Sequence, residues 1–248
     1  MHPRLNQIWH RSKRFLRSRS LIPTPIPSLL GLERRPIRTV IDVGAFDGDT
    51  GRTFQRIFPQ ASIHCFEPQP SQFRLLSQWA ARAGDQVHAY PYALGKETRT
   101  AEMLTTPTMP RFSSLLPGTE HLEQVYSTGK TIVNVPVSVR VMRLDDLAPT
   151  LSLEDEILVK IDTQGYEREV ILGGMNLLSR AVACIAECNV GDNYQNQPTF
   201  RDLIDLMDEV GLQYAGNVSQ GRIPATGMVG HFDALFVRNT GHQEISGS

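Results

Sequence analysis

Cysteine is scarce in this chain of 248 residues, with three in all. Cys65, Cys184 and Cys188 are odd in number and lie in or beside apolar stretches, which excludes a disulfide framework and predicts buried, reduced thiols in a cytoplasmic protein. Long apolar runs are missing too. None approaches the roughly eighteen residues of a membrane-spanning helix, and Met1 to Pro27 holds no uninterrupted apolar stretch of the kind a secretion signal uses. Neither spanning nor secretion is therefore expected. Internal repeats and low-complexity tracts are absent, and His64, His88 and His121 lack the spacing of metal ligands and read as ordinary core or surface histidines. The three-glycine G-x-G-x-x-G turn that cradles a dinucleotide pyrophosphate is also missing.

Net charge is close to zero, with 25 Lys and Arg against 26 Asp and Glu, but it is unevenly placed. Residues 1–38 carry nine Lys or Arg against Glu33 alone, so the remainder is acidic and is predicted to repel nucleic acid. In the basic segment Leu5, Ile8, Trp9, Phe15 and Leu16 fall on one side of a helix, with Arg4, Arg11, Lys13, Arg14 and Arg17 around the rest. Such a helix suits an anionic membrane surface or a partner, or packs on the body of its own molecule. Pro23, Pro25 and Pro27 then read as a stiff linker. At 40 % apolar content the chain can bury one full core. The expected organisation is a basic, Pro-rich extension over 1–38, one α/β domain over 39–240 interrupted by an inserted β and loop region near 98–147, and a flexible tail over 241–248.

From residue 39 strand and helix patterns alternate, as a parallel sheet requires. Strands are predicted near 39–43, 61–67, 87–92, 157–161, 182–187, 213–218 and 231–238, and helices near 49–58, 71–83, 166–178 and 198–210. Gly84 and Gly211 serve as helix stops. Between Thr98 and Leu147 the rhythm breaks: Thr131 to Met142 reads as an added strand, and Thr105 to Gly129 as a polar, turn-rich lid on the substrate side.

The most informative stretch runs from Thr39 to Gly48. Val40, Ile41 and Val43 suit a strand covered on both faces. Asp42 then lies near its carboxyl end, where open α/β sheets bind ligands. Gly44 and Gly48 let the following turn bend sharply and lie against a bound molecule. Nineteen residues after Gly48, Glu67 ends the next strand before Pro68. A carboxylate there can accept hydrogen bonds from both hydroxyls of a ribose, at about 1.5 to 3 kcal/mol each. Asp162 and Glu187 end two further buried strands, so four acids are expected on one sheet edge. The spacing Asp42-x-Gly44-x-x-x-Gly48 suits a ligand bearing an ammonium and a sulfonium.

The ordered segments Ile41-Asp-Val-Gly-Ala-Phe-Asp-Gly48, Phe66-Glu-Pro68, Ala93-Leu-Gly95, Ser113-Ser-Leu115, Leu144-Asp-Asp-Leu147, Lys160-Ile-Asp-Thr-Gln-Gly-Tyr-Glu167 and Glu187 resemble the FkbM-type family of S-adenosyl-L-methionine-dependent methyltransferases, over roughly residues 39–238. The resemblance implies an α/β fold of the class I methyltransferase type. Its Rossmann-like sheet would be mostly parallel, of seven strands with the last antiparallel, and carry helices on both faces. It implies methyl transfer to a hydroxyl of a sugar, polysaccharide or secondary metabolite. By the same resemblance Asp42, Gly44, Ala45, Gly48, Glu67, Pro68, Ala93, Ser114 and Asp162 hold the cofactor. One departure stands out, because the family turn commonly carries an acid where this chain has Gln164.

An alcohol that attacks a methyl group must lose its proton. Asp162, Glu187 and His231 are the candidate bases, Asp162 first. A divalent ion on Asp162, Glu187 and Asn189 is the rival reading of those oxygens, though none is expected. Phe46, Tyr92, Phe112 and Tyr166 are candidates for apolar walls or for plain core packing. A nicotinamide-dependent oxidoreductase and a noncatalytic cofactor-binding protein are the alternative functions.

Overall fold

The computed structural model describes residues 29–126, 133–223 and 226–238. The amphipathic segment, the Pro-rich linker and the C-terminal tail lie outside the described residues. Ten strands are present among those described: β1 (Thr39–Val43), β2 (Ser62–Phe66), β3 (Val87–Tyr90), β4 (Tyr92–Leu94), β5 (Arg99–Thr105), β6 (Val135–Met142), β7 (Ile157–Ile161), β8 (Ala183–Asn189), β9 (Leu212–Arg222) and β10 (Val229–Arg238). The helices are α1 (Asp49–Ile57), α2 (Pro70–Ala83), α3 (Glu120–Tyr126), α4 (Leu144–Leu147), α5 (Glu167–Gly173), α6 (Met175–Leu178) and α7 (Phe200–Glu209).

Seven strands form the main sheet in the order β3-β2-β1-β7-β8-β10-β9. The first five are parallel, while β10 is antiparallel to both β8 and β9. Alternation along β1 divides the core between the two faces. Val40 packs with Ile63, Cys65 and Leu158 beneath Phe54 of α1 and Leu76 and Trp79 of α2. Ile41 and Val43 face the other way, with Phe66, Val159 and Ile161, beneath Val170 and Ile171 of α5 and Leu203 and Met207 of α7. Burying each such side chain contributes about 1.5 to 3 kcal/mol. The helix ends follow local chemistry. Pro70 opens α2 and Gly84 closes it at φ 72°. In α7 the Thr199 hydroxyl accepts from the Asp202 amide while the Asp202 carboxylate accepts from the Thr199 amide. All three cysteines are free and buried. No helix among the described residues is long and apolar enough to cross a membrane.

Three expectations need correction. The helix over 166–178 is two helices, because α5 ends at Gly173, where a Cβ would run into the Gly95 carbonyl, and α6 starts after Gly174. The strand over 87–92 divides at Pro91, which cannot donate to a ladder, and the chain passes from β3 to β4 in a different sheet. The interval from Thr98 to Leu147 holds more than the one added strand expected near 131–142, which is β6. It is built on a three-stranded sheet of order β4-β6-β5, whose small core comprises Ala93, Ala101, Met103, Val139 and Val141. Irregular chain follows Thr105 and leads through the single turn Pro110–Phe112 into α3.

Candidate active site

A cleft of about 1520 Å³ runs along the carboxyl ends of β1, β2, β7 and β8 and beside β10. That is more than one small ligand fills, since single-ligand pockets run to about 1,000 Å³.

One end of it is built on β1 and β2. The Gly44 and Ala45 amides both donate to the Phe66 carbonyl at 3.0 Å, which sews the turn after β1 to β2. Gly44 and Gly48 adopt φ of 79° and 91°, as the sharp bend requires. Space gives a further reason for glycine: a Cβ on Gly44 would strike the Asp162 carbonyl, and one on Gly48 would meet the Trp79 ring. The absent side chains therefore admit neighbouring protein. Glu67, 3 % exposed, accepts from the Phe46 amide at 2.9 Å and the Gln69 amide at 2.7 Å. Burial pushes its carboxyl up to about 7, against the pull of those two amides. Above it, Arg111 stacks over Phe46 at 4.4 Å and pairs with Asp49 at 3.6 Å, while the Gln69 side chain donates to the Pro110 carbonyl.

The other end is built on β7, β8 and β10. Lys160 is buried in β7 and reaches Asp233 at 2.8 Å and Asp162 at 3.5 Å. Burial alone would lower the Lys160 ammonium, but Asp162, Asp233 and Glu187 more than reverse this and hold it charged. Burial likewise pushes Asp233 up, yet Lys160 outweighs it and the carboxyl stays below its usual range. Glu187 is buried beside Asp162 and is held well above the usual carboxylate range. Between these acids lies Gln164, whose amide nitrogen donates to Asp162 at 3.0 Å and Glu187 at 2.7 Å. Glu167 caps the turn, accepting from the Thr163 and Gly165 amides; burial lifts it to about 7.

Gly44, Glu67, Pro68, Ala93, Asp162, Glu187 and His231 thus line one cleft, together with Phe46, Tyr92, Phe112 and Tyr166. The remaining expected cofactor contacts lie behind its surface. Asp42 points to the α1 and α2 side with Val40, between Cys65 and Lys160 in register. It is 1 % exposed, and one of its oxygens has no partner. Burial lifts it to about 7, Lys160 opposing and Asp162 adding to the shift. Ala45 and Gly48 are buried within the turn, and the Ser114 hydroxyl donates to the Gln164 carbonyl. Asn189, offered as a metal ligand, lines the cleft but accepts from Asn193 at 2.7 Å. Among the described residues no three His, Cys, Asp or Glu side chains gather as a metal site.

Sequence reasoning missed Lys160, Asp233, Asn193 and Tyr194. A signal existed for two of them: a lysine inside the apolar run Ile157–Ile161 and an aspartate inside Phe232–Phe236 each demand a buried partner. Asn193 and Tyr194 come from irregular chain, which carries no such pattern.

The donor set fits a ligand with a sugar at one end and positive charge toward the other. A buried carboxylate stands at the β2 end, apolar rings line the walls, and the acids at the β7 and β8 ends outnumber the one lysine beside them. Comparison with known proteins gives the same direction. The model of a methyltransferase FkbM domain matches residues 42–214. Among curated relatives, 2-O-methyltransferase NoeI of Sinorhizobium fredii is 24 % identical over 72 % of this chain and 74 % of its own. Methyltransferase sdnD of Sordaria araneosa is 31 % identical over 54 % of this chain and 59 % of its own. The crystal structure of methyltransferase FkbM from Methylobacillus flagellatus superposes with a TM-score of 0.50 at 13 % identity, covering 80 % of this chain and 44 % of that one. This chain therefore spans less than half of that structure, and the likeness concerns the fold alone.

Proposed function

Because this chain belongs to the methyltransferase FkbM domain family, whose methyl donor is S-adenosyl-L-methionine, we propose that it methylates a hydroxyl oxygen of a sugar, a polysaccharide or a secondary metabolite. The observation that carries this reading is the two-ended cleft, with Glu67 at the β2 end and Asp162 at the β7 end and room for two ligands. The similarity to a 2-O-methyltransferase supports oxygen as the acceptor atom. When bound, the cofactor supplies an electrophilic methyl group on a positively charged sulfur.

The chain's own residues do the rest. Glu67, held by two backbone amides, accepts the ribose hydroxyls, and Pro68 and Ala93 complete the wall beside it. Asp42, Ala45, Gly48 and Ser114 act from behind by holding the turns in place. Asp162 takes the acceptor proton. Glu187, buried beside Asp162 and held above the usual carboxylate range, is the second candidate. His231 borders the same cleft and is the reserve candidate. Alignment of acceptor and donor supplies up to about 7 to 11 kcal/mol of the barrier reduction. The acceptor is a small molecule or glycan rather than nucleic acid, the catalytic unit is residues 39–240, and the site of action is the cytoplasm.

Incubation with S-adenosyl-L-methionine labelled in the methyl group and a library of sugars, oligosaccharides and hydroxylated metabolites tests the reading. Label recovered as a base-stable methyl ether is the expected result. Label on nitrogen, or on protein or RNA alone, would refute it.

A further inference from the structure

Gln164 occupies the left-handed region at φ 56°, followed by Gly165 at φ 93°. Side chains rarely tolerate this conformation, and here the surroundings hold it. The backbone carbonyl accepts from the Ser114 hydroxyl at 2.7 Å, and the side-chain oxygen accepts from the Tyr194 hydroxyl at 2.9 Å. The side-chain nitrogen donates to the Asp162 and Glu187 carboxyl groups. This orientation suits the neighbours, because rotating the amide by half a turn would set its oxygen against the Asp162 carboxyl oxygen.

The count of hydrogens also matters. An amide nitrogen offers two N–H donors, and two carboxyl groups stand in front of it. A glutamate in the same place offers no donor when ionised and a single one when protonated, so at least one neighbour would lose its bond and a third acid would join the pair.

We propose that Gln164 is a positioning residue, whose neutral amide bridges Asp162 and Glu187 and fixes the plane in which Asp162 meets the acceptor hydroxyl. The proposal rests on the reading of Asp162 as the base. The charged and titratable groups that face Glu187 are Asp162 and Lys160 from β7 and its turn, Glu167 from α5, Asp233 from β10, and the Tyr194 and Tyr126 hydroxyls. Gln164, which carries no titratable proton, bonds to two of these carboxyl groups.

The test compares Gln164→Glu and Gln164→Met with the wild type. In protein labelled at the glutamate side-chain carboxyl carbon, the Glu187 resonance is identified by its loss in Glu187→Gln and followed by NMR against pH. Losing the amide donor should move its midpoint up by about one pH unit in Gln164→Met. The added acid should move it at least as far in Gln164→Glu. Circular dichroism checks that both variants are folded, and Gln164→Glu, nearly isosteric, covers the case in which Gln164→Met is not. On an acceptor used by the wild type, the acid limb of kcat/KM should move the same way, with turnover reduced about tenfold or more at neutral pH. An unmoved Glu187 midpoint in a folded variant, or a turnover loss equal at every pH, overturns the proposal. Asp162→Asn is assayed in parallel. Full turnover there sinks the base reading itself, whereas an inactive Asp162→Asn beside unaltered Gln164 variants sinks the positioning role alone.

Discussion

Replacing Glu67 by alanine removes the buried carboxylate that follows β2 in the cleft. In the intact protein each of its oxygens already accepts one backbone amide, from Phe46 or Gln69, and a carboxylate oxygen has a second lone pair for a ligand hydroxyl. Losing one or two charge-assisted bonds to the ribose should weaken S-adenosyl-L-methionine binding by about 2 to 4 kcal/mol, or roughly 30-fold to 1000-fold. The pH dependence follows from the same group. Folded and ligand-free, Glu67 holds its proton up to about pH 7, whereas the unfolded chain releases it near 4.5. The folded state therefore binds more protons between those values, and this group makes the ligand-free protein less stable as pH rises through that window. If the ribose needs the carboxylate, binding expels the proton, so affinity at pH 6 should be roughly tenfold weaker than at pH 8. Titration calorimetry of the wild type and Glu67→Gln at both pH values reads this directly, with the steep dependence expected only in the wild type. Near-equal affinities for wild type and Glu67→Ala, with the fold intact, would place the nucleoside elsewhere.

Three further outcomes are expected. Asp162→Asn should lower turnover by on the order of 100-fold to 10,000-fold with cofactor affinity within a few-fold, and wild-type activity should survive EDTA; collapse in EDTA with recovery in Mg²⁺ would instead favour a metal on Asp162, Glu187 and Asn189. Deleting residues 1–27 should leave cofactor affinity unchanged, because Glu67 and its cradle are complete within the domain; a folded truncation that no longer binds would refute that boundary. Gly44→Ala should destabilise the protein by about 3 kcal/mol or more, since the methyl meets the Asp162 carbonyl at a φ of 79°; an unchanged melting temperature would contradict the packing described.

The main sheet was legible because its signals are local. Apolar runs such as Ile157–Ile161 are bounded by glycine turns, and parallel connections bring all their carboxyl ends to one edge, so Glu67, Asp162 and Glu187 could be placed along one cleft from the sequence. Of the second sheet only β6 was legible, from the valine-rich run ending at Met142. In β5 only Ala101 and Met103 turn inward between polar residues, and its partner β6 begins some thirty residues later. The break after α5 depends on how closely Gly173 approaches Gly95, which no local pattern records. Within the site, strand-end position alone does not tell which face Asp42 takes, and the register with Cys65 and Lys160 supplies it. The pairing of Lys160 with Asp233 crosses 73 positions of sequence, and the bridging role of Gln164 emerges only once Tyr194 and Glu187 are seen around it.

The bare backbone contact between Gly44 and Asp162 has a mechanical consequence. The Asp162 amide donates to the Val43 carbonyl at 3.0 Å, and with no side chain between the two turns there is no compressible layer to absorb displacement. The turn after β1 and the turn after β7 are therefore expected to move as one stiff joint. Little play is expected in the distance between them; on the opposite wall the Pro110–Phe112 turn is held by side-chain contacts, among them that of Gln69 and those of Arg111 with Phe46 and Asp49. Amide hydrogen exchange should be slow at Asp162 and Ala45 and faster at Arg111 and Phe112, and the reverse order would show that the joint yields.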